Sequence, residues 1–345
     1  MLIKIDVESD LFRRIQALID SGKYDDIHQF IKLAINNQIQ EEASEPSTSK
    51  SSSIIPKSSQ KIPESDEERQ DMIVKRLSDF LAQESQIDPK ADDMIWGFYS
   101  RFFPVKVVIH KLASMLSEQK TWIEISEIQE EAFNFVETIS HVLKDYEESN
   151  QLPRNKKLST GLPMPHLQLP KLKGSKRKKE EKYHSSKIRF MEQFVGKPIK
   201  KEPYSFKGAC FSMGLMAVKF VEEICYVSLT REGKDFAFLD NPIIDENRFD
   251  SSFSDQEIRF IFRSIYPKFV LENKIIHKII DALKQKDLKS DEIDVFFEEE
   301  NRKDITVERV ATMGRLSELQ IVSWKINTDR SSIYSLNEDK TGLLN

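Results

Sequence analysis

The stretch Thr306–Leu336, TVERVATMGRLSELQIVSWKINTDRSSIYSL, changes its apolar period halfway along. In the first half Val307, Val310, Leu316 and Leu319 fall on one side at helical spacing, with Thr306 placed as an N-cap. In the second half Ile321-Val322, Trp324 and Ile326 predict a short strand. Ile333 and Leu336 predict its return, and the Asn-, Asp- and Ser-rich segment Asn327–Ser332 the turn between them. If Val307 and Val310 face a core, then Glu308, Arg309, Thr312, Arg315 and Ser317 face outward.

A helix followed by a hairpin, with the phrase RLSELQIVSW and then Tyr334-x-Leu336, resembles the recognition helix and wing of the winged-helix family. The resemblance implies a helix that reads a DNA groove or, as in many members, docks a protein. On the DNA reading the candidate contacts here are Arg309, Thr312, Arg315 and, at the wing tip, Arg330. Arginine bonds guanine bidentately, and threonine meets a base or a phosphate. Glu308, Glu318 and the triplet Glu298–Glu300 lie close in sequence and favour a protein partner instead.

The chain has 345 residues, a length that suits two or three domains, and 39% apolar residues, enough for real cores. No run approaches the roughly 18 apolar residues of a membrane span. The start, MLIKIDVESD, lacks the basic and apolar regions of a signal peptide, and two cysteines fit a reducing compartment, so a cytoplasmic location is expected. Net charge is −5, yet residues 150–207 hold 16 Lys/Arg against 4 Asp/Glu. Within that stretch Lys176, Arg177, Lys178 and Lys179 are candidates for phosphate contact without base reading. The acidic surfaces of residues 43–149 and 208–345 fit a protein partner.

Residues 1–42 predict one strand and two helices. Ile3, Ile5 and Val7 alternate with Lys4 and Asp6, and a later stripe carries Ile27, Ile31 and Ile35. So short a unit cannot bury a core alone. In order, length and period it resembles the ribbon-helix-helix family. That resemblance implies a homodimer built on Ile3, Ile5, Val7, Ile27, Ile31 and Ile35, with Lys4 on the groove side of the ribbon. Residues 43–63 predict a flexible linker with a reach of about 25 Å.

Beyond the linker, Met72, Ile73, Leu77, Phe80 and Leu81 form a helical stripe. Asp88-Pro89 predicts the cap of a second helix through Ile95, Trp96, Phe98, Tyr99 and Phe102, and Pro104 the start of a third. A strand at Trp122–Ile125 precedes a long helix capped by Ser126, with Ile128, Ala132, Phe135, Ile139, Val142 and Tyr146 on its seam. Four prolines predict irregular chain over 150–182, with helices following at Ser185–Val195 and Phe206–Phe220 and a strand at Ile224–Leu229. The phrase beginning at Thr230, with Gly233 in the first turn of a helix, resembles the end of a winged-helix wing. In the last segment Ser254-Asp-Gln-Glu257 is a capping box, and Ile275, Ile276, Ile279, Ile280 and Leu283 form a buried stripe.

The expected fold is therefore mostly α. A ribbon-helix-helix-like module spans 1–42 and a linker 43–63. A winged-helix-like domain with a short β-wing spans 64–245, interrupted by a basic insert at 150–182, and a second spans 252–340. This order of parts is similar to that of multi-module prokaryotic, mostly archaeal, proteins. Expected partners are double-stranded DNA, a second copy of the chain, and a protein that meets the acidic surfaces. The leading functional expectation is a dimeric transcriptional regulator, and the alternative is an adaptor whose winged helices bind protein.

Catalytic signals are poor. Glu118-Gln119-Lys120 has the letters of a nuclease pair without strands around it. The six histidines show no metal-ligand spacing, and Cys210 and Cys225 lack a second pair. No enzyme activity, cofactor or metal is expected.

Overall fold

Two three-stranded antiparallel sheets repeat one topology in this chain, each built from a single strand and a later hairpin with helices between them. The computed structural model describes residues 77–89, 93–166, 176–199, 202, 204–326 and 332–344. The readings placed on residues 1–42 (Lys4, Ile3, Ile5, Val7, Ile27, Ile31 and Ile35 among them), on the linker and on Arg330 lie outside the described residues. The described residues are mostly helical, with few and short strands.

In the first half, α1 (Phe103–Met115) leads to β1 (Ile123–Glu124) and α2 (Ile125–Ser149). Next come α3 (Lys176–Phe190) with a wider π-helical turn at Met191–Val195, β2 (Lys197–Pro198), β3 (Phe206–Lys207) and the single turn α4 (Ala209–Ser212). The hairpin β4 (Met216–Val221) and β5 (Ile224–Leu229) and α5 (Arg231–Ala237) complete this half. The sheet order is β1-β5-β4, with Ile123 opposite Val227 and Val218 opposite Val227.

The second half runs α6 (Asp255–Phe260) with a π turn at Ile261–Ile265, α7 (Val270–Leu283), β6 (Leu288–Lys289), α8 (Ser290–Glu298) and α9 (Ile305–Glu318). The hairpin β7 (Val322–Ile326) and β8 (Ser332–Leu336) ends it, in the order β6-β8-β7 with Leu288 opposite Tyr334. In both halves the first strand thus pairs with the third.

Several local signals act where the sequence places them. Ser254 and Glu257 form the reciprocal capping box of α6. Thr230 accepts from the Gly233 amide at the start of α5. Gly233 is required there by close packing, since a Cβ would lie 1.8 Å from the Leu215 carbonyl oxygen. The stripe Ile275–Leu283 of α7 is buried as expected.

Other expectations are corrected. Residues 77–85 form no helix: the chain is extended, and Gln83 and Gln86 donate their amides to Leu229 and Val218 at 2.9 Å. Among the described residues 93–102 there is no helix after Asp88-Pro89, and Trp96 and Phe98 are exposed rather than buried. The helix expected over Phe206–Phe220 stops after Ser212, because Gly214 takes a left-handed φ of 71° and Met216–Val221 pairs as a strand. The seam of α2 is shifted: Phe133, Val136 and Leu143 are buried with Ile128, Ala132 and Ile139, while Phe135, Val142 and Tyr146 are only half-buried.

The two halves do not stand apart as separate domains. Residues Pro63–Asn345 form one compact unit, and one apolar core runs through both halves. Buried polar groups tie them together. Lys106 of α1 forms an ion pair with Glu257 of α6 at 3.0 Å, both fully buried. The same ammonium donates to the carbonyls of Phe236 and Leu239 at 2.7 and 2.6 Å, which serves the open C-terminal end of α5.

Candidate functional site

Helix α9 carries the residues expected from sequence to face outward, Arg309, Thr312 and Arg315, but these side chains are buried or paired. It starts at Ile305, after Asp304, so Thr306 is not its N-cap. Its phase is also rotated from the expected one: Val307 and Val310 are 51% and 54% exposed, whereas Thr312 and Arg315 are fully buried. The physical reason is that the segment leading into α1 and helix α7 cover this face: the Tyr99 carbonyl and the Glu272 carboxylate both meet Arg315 there. On another side of the helix Arg101 donates to the Gly314 carbonyl at 2.7 Å, and a Cβ on Gly97 would lie 2.8 Å from the Val307 Cγ1.

Arg315 is held by acceptors on three residues, Glu272, Tyr99 and Thr312. Its guanidinium pairs with the Glu272 carboxylate and donates to the Tyr99 carbonyl at 2.8 Å. Glu272 also accepts from the Thr312 hydroxyl at 3.2 Å and from the Ile95 amide at 2.8 Å. A buried charge is tolerated only when paired and hydrogen-bonded in this way. Glu318, one turn from Arg315, accepts from the amides of Phe102 and Phe103 at 2.6 and 3.2 Å and so caps the start of α1. Burial pushes its carboxyl up to about 7, against the pull of Arg101 and the two amides.

Several other charges near α9 pair with one another. Arg309 bonds Asp294 at 2.5 Å and Arg302 bonds Glu308 at 2.5 Å. Lys278 bridges Glu299 and Glu300 at 2.9 Å each, and Lys274 reaches Glu300 at 2.8 Å. Besides Thr306, the residues that α9 leaves exposed are apolar. Val307 and Val310 are joined by Trp96 and Phe98, themselves 52% and 60% exposed, with ring centroids 4.6 Å apart.

The basic segment behaves differently from the irregular loop expected through residue 182. Lys176–Phe190 is one helix, α3, and Lys176, Arg177, Lys178 and Lys179 fall in its first turn. Spacings of four, three and four residues put Lys178, Lys182, Ser185 and Arg189 on one stripe. The opposite side anchors the helix. Tyr183 donates to Glu137 at 3.1 Å, and Lys187 pairs with Glu130 at 2.6 Å. Burial, reinforced by Glu137, pushes the Tyr183 phenol well above its usual range. Arg177 is exposed and paired with Glu181 at 2.9 Å. The hairpin β4–β5 turns at Glu222 and Glu223, both exposed, so its tip would be repelled by a phosphate backbone.

A cleft of about 800 Å³ opens where α3 ends, between it, the β2–β3 pair and residues 87–89 and 95–99. Exposed Trp96, Ile188 and Tyr204 line it, together with Arg189, Lys197 and Lys207 and the carboxylates Asp88, Glu192 and Glu202. Lys197 is held by Glu192 at 2.6 Å. One wall depends on a glycine pair: a Cβ on Gly208 would lie 2.6 Å from the Gly196 Cα. The cleft and the exposed aromatics were not anticipated from sequence. The signal for the second was Gly97, which sits inside the aromatic run and argues against a buried helix.

Cys210 and Cys225 are buried free thiols. Among the described residues no helix is long and apolar enough to cross a membrane, and no group of three His, Cys, Asp or Glu is placed to hold a metal ion. No protein-family model, curated protein or solved structure matches this chain.

Proposed function

We propose that this chain is an adaptor or assembly protein whose two winged-helix-like units dock protein rather than read DNA. Support for the winged-helix-like reading is the repeated order of helix, strand, helices and hairpin, with the first strand paired to the third in each sheet. The observation that carries the docking reading is the state of α9. Thr312 and Arg315 are buried in an internal network, Arg309 is paired with Asp294, and the exposed face bears Val307 and Val310 beside Trp96 and Phe98. Apolar and aromatic side chains of this kind serve as anchors in protein interfaces. Dimerisation through residues 1–42 belongs to the same reading. It would present two copies of each docking face and raise effective concentration.

The test is capture of partners by the full chain from native lysate, with and without nuclease, beside the V307D/V310D variant. The expected result is protein capture that survives nuclease and is lost in the variant. Capture that vanishes with nuclease overturns the reading.

A second reading rests on α3. The stripe of Lys178, Lys182 and Arg189 suits sequence-independent contact with duplex DNA, the setting of a regulator. On that reading K178E/K182E lowers the slope of log affinity against log salt by about 2, and R309A leaves it unchanged. A slope that R309A flattens and K178E/K182E does not would count against it.

A further inference from the structure

We infer that the cleft beside the end of α3 is a peptide site, taking a short segment of a partner protein that carries an apolar anchor flanked by carboxylates. This rests on the docking reading and adds to it the chemistry of the occupant. The size is right for a few side chains: about 800 Å³ falls within the usual range for a ligand pocket. Its anchor surface is formed by Trp96, Ile188 and Tyr204, which are 52%, 41% and 64% exposed. Aromatic surface left open at a concave site contributes most when a partner's apolar group fills it.

The charge chooses the occupant. Lys197 is already held by Glu192, but among the described residues Arg189 and Lys207 have no ion pair. Both project at the cleft, and the stripe of α3 continues the positive charge outward through Lys182. A carboxylate accepts two parallel bonds from a guanidinium, which supplies orientation as well as attraction. A nucleic acid strand fits less well. It would carry one phosphate per nucleotide past Asp88, Glu192 and Glu202, which line the same cleft. A peptide places its carboxylates sparsely and can avoid them. The site also borders the part of α9 that carries Val307, since Gly97, between Trp96 and Phe98, packs against Val307. One partner can therefore cover both.

The experiment uses the full chain and fluorescence anisotropy with four labelled probes. Three are short peptides sharing a Leu-Phe core, flanked by Glu, by Gln or by Lys. The fourth is a short oligothymidylate. The Glu-flanked peptide is expected to bind about tenfold tighter than the Gln-flanked one, and the Lys-flanked peptide weakest. R189E/K207E should abolish that preference, and the neutral R189Q/K207Q should reduce it. Both side chains are exposed, so these variants keep the fold. W96A should weaken all three peptides alike. Equal binding of the Glu and Gln peptides, a preference that survives R189E/K207E, or tighter binding of oligothymidylate would each overturn the assignment. Loss of peptide preference with nuclease-resistant capture intact overturns the cleft alone. Loss of both overturns the docking reading with it.

Discussion

Replacing Arg315 with methionine separates the two roles that a residue at this position can have. If Arg315 read a base, R315M would lower DNA affinity by about 1–3 kcal/mol and leave the fold intact. The geometry gives a different outcome. The guanidinium is fully buried and bonds Glu272, the Tyr99 carbonyl and the Thr312 hydroxyl. Its removal leaves Glu272 with two donors, the Ile95 amide and the Thr312 hydroxyl, and an uncompensated charge. Breaking one side of a buried pair costs about 3–5 kcal/mol. The unit spans Pro63–Asn345, and the entropy of unfolding for a chain of that size is about 0.6 kcal/mol/K. The melting temperature should therefore fall by about 5–8 °C. Differential scanning calorimetry of the full chain reads this directly. The double variant R315M/E272Q, which also removes the stranded charge, should recover part of the loss. A melting temperature within about 1 °C of the parent for R315M would refute the buried network, and with it the inward phase of α9.

Three further outcomes are expected. Because burial raises the Glu318 carboxyl from 4.5 to about 7, the folded state keeps a proton that the unfolded chain releases across that window. Stability then falls as pH rises from about 5 to 7, by about 3 kcal/mol in full, and levels off above. Urea midpoints should show E318Q losing that share of the slope, and parallel slopes in the two proteins would sink the assignment. Burial also pushes the Cys225 thiol up to about 12 and the Cys210 thiol higher still. Ellman's reagent should accordingly find neither thiol in the native protein and both in denaturant, and fast native labelling would contradict this. Sedimentation of the full chain should give a dimer that Ile5→Lys converts to monomer; an unchanged sedimentation coefficient would remove residues 1–42 as the dimer element.

Elements were legible wherever a period and a punctuating residue agreed. Ser254 and Glu257 fixed the start of α6, Thr230 and Gly233 that of α5, and the isoleucine stripe fixed α7. The hairpin β7–β8 was legible from its change of period. What local pattern could not supply was the identity of the surface that each helix meets. In α9, Val307 and Val310 have the spacing of core residues, yet the face carrying Thr312 and Arg315 is the one covered. The covering segment comes from residues 93–103, and the decisive acceptor, Glu272, lies on α7. A glutamate in an isoleucine-rich helix is an ordinary solvated residue until the arginine that neutralises it is known. The strand Met216–Val221 was misread for a related reason: a short apolar run has no period that separates helix from strand, and its pairing with β5 decided the outcome.

The same long-range groups bear on function. Lys106 of the first half reaches Glu257 of the second, while Arg315 and Glu318 of the second reach Tyr99 and Phe102 of the first. Each half therefore supplies charged groups that are satisfied in part by the other. Two such units cannot adjust their spacing along a duplex as tethered readers do, because moving them apart would strand several buried charges. The union also covers the polar face of α9, the face that a groove reader would need free. In exchange it leaves Trp96, Phe98, Val307 and Val310 exposed, with Gly97 held against Val307 and the cleft beside Trp96. Rigid placement of anchors lowers the ordering cost of association. An arrangement that uses its recognition-type polar groups for internal rigidity and leaves aromatic and aliphatic groups outside is suited to holding a protein partner in a set orientation.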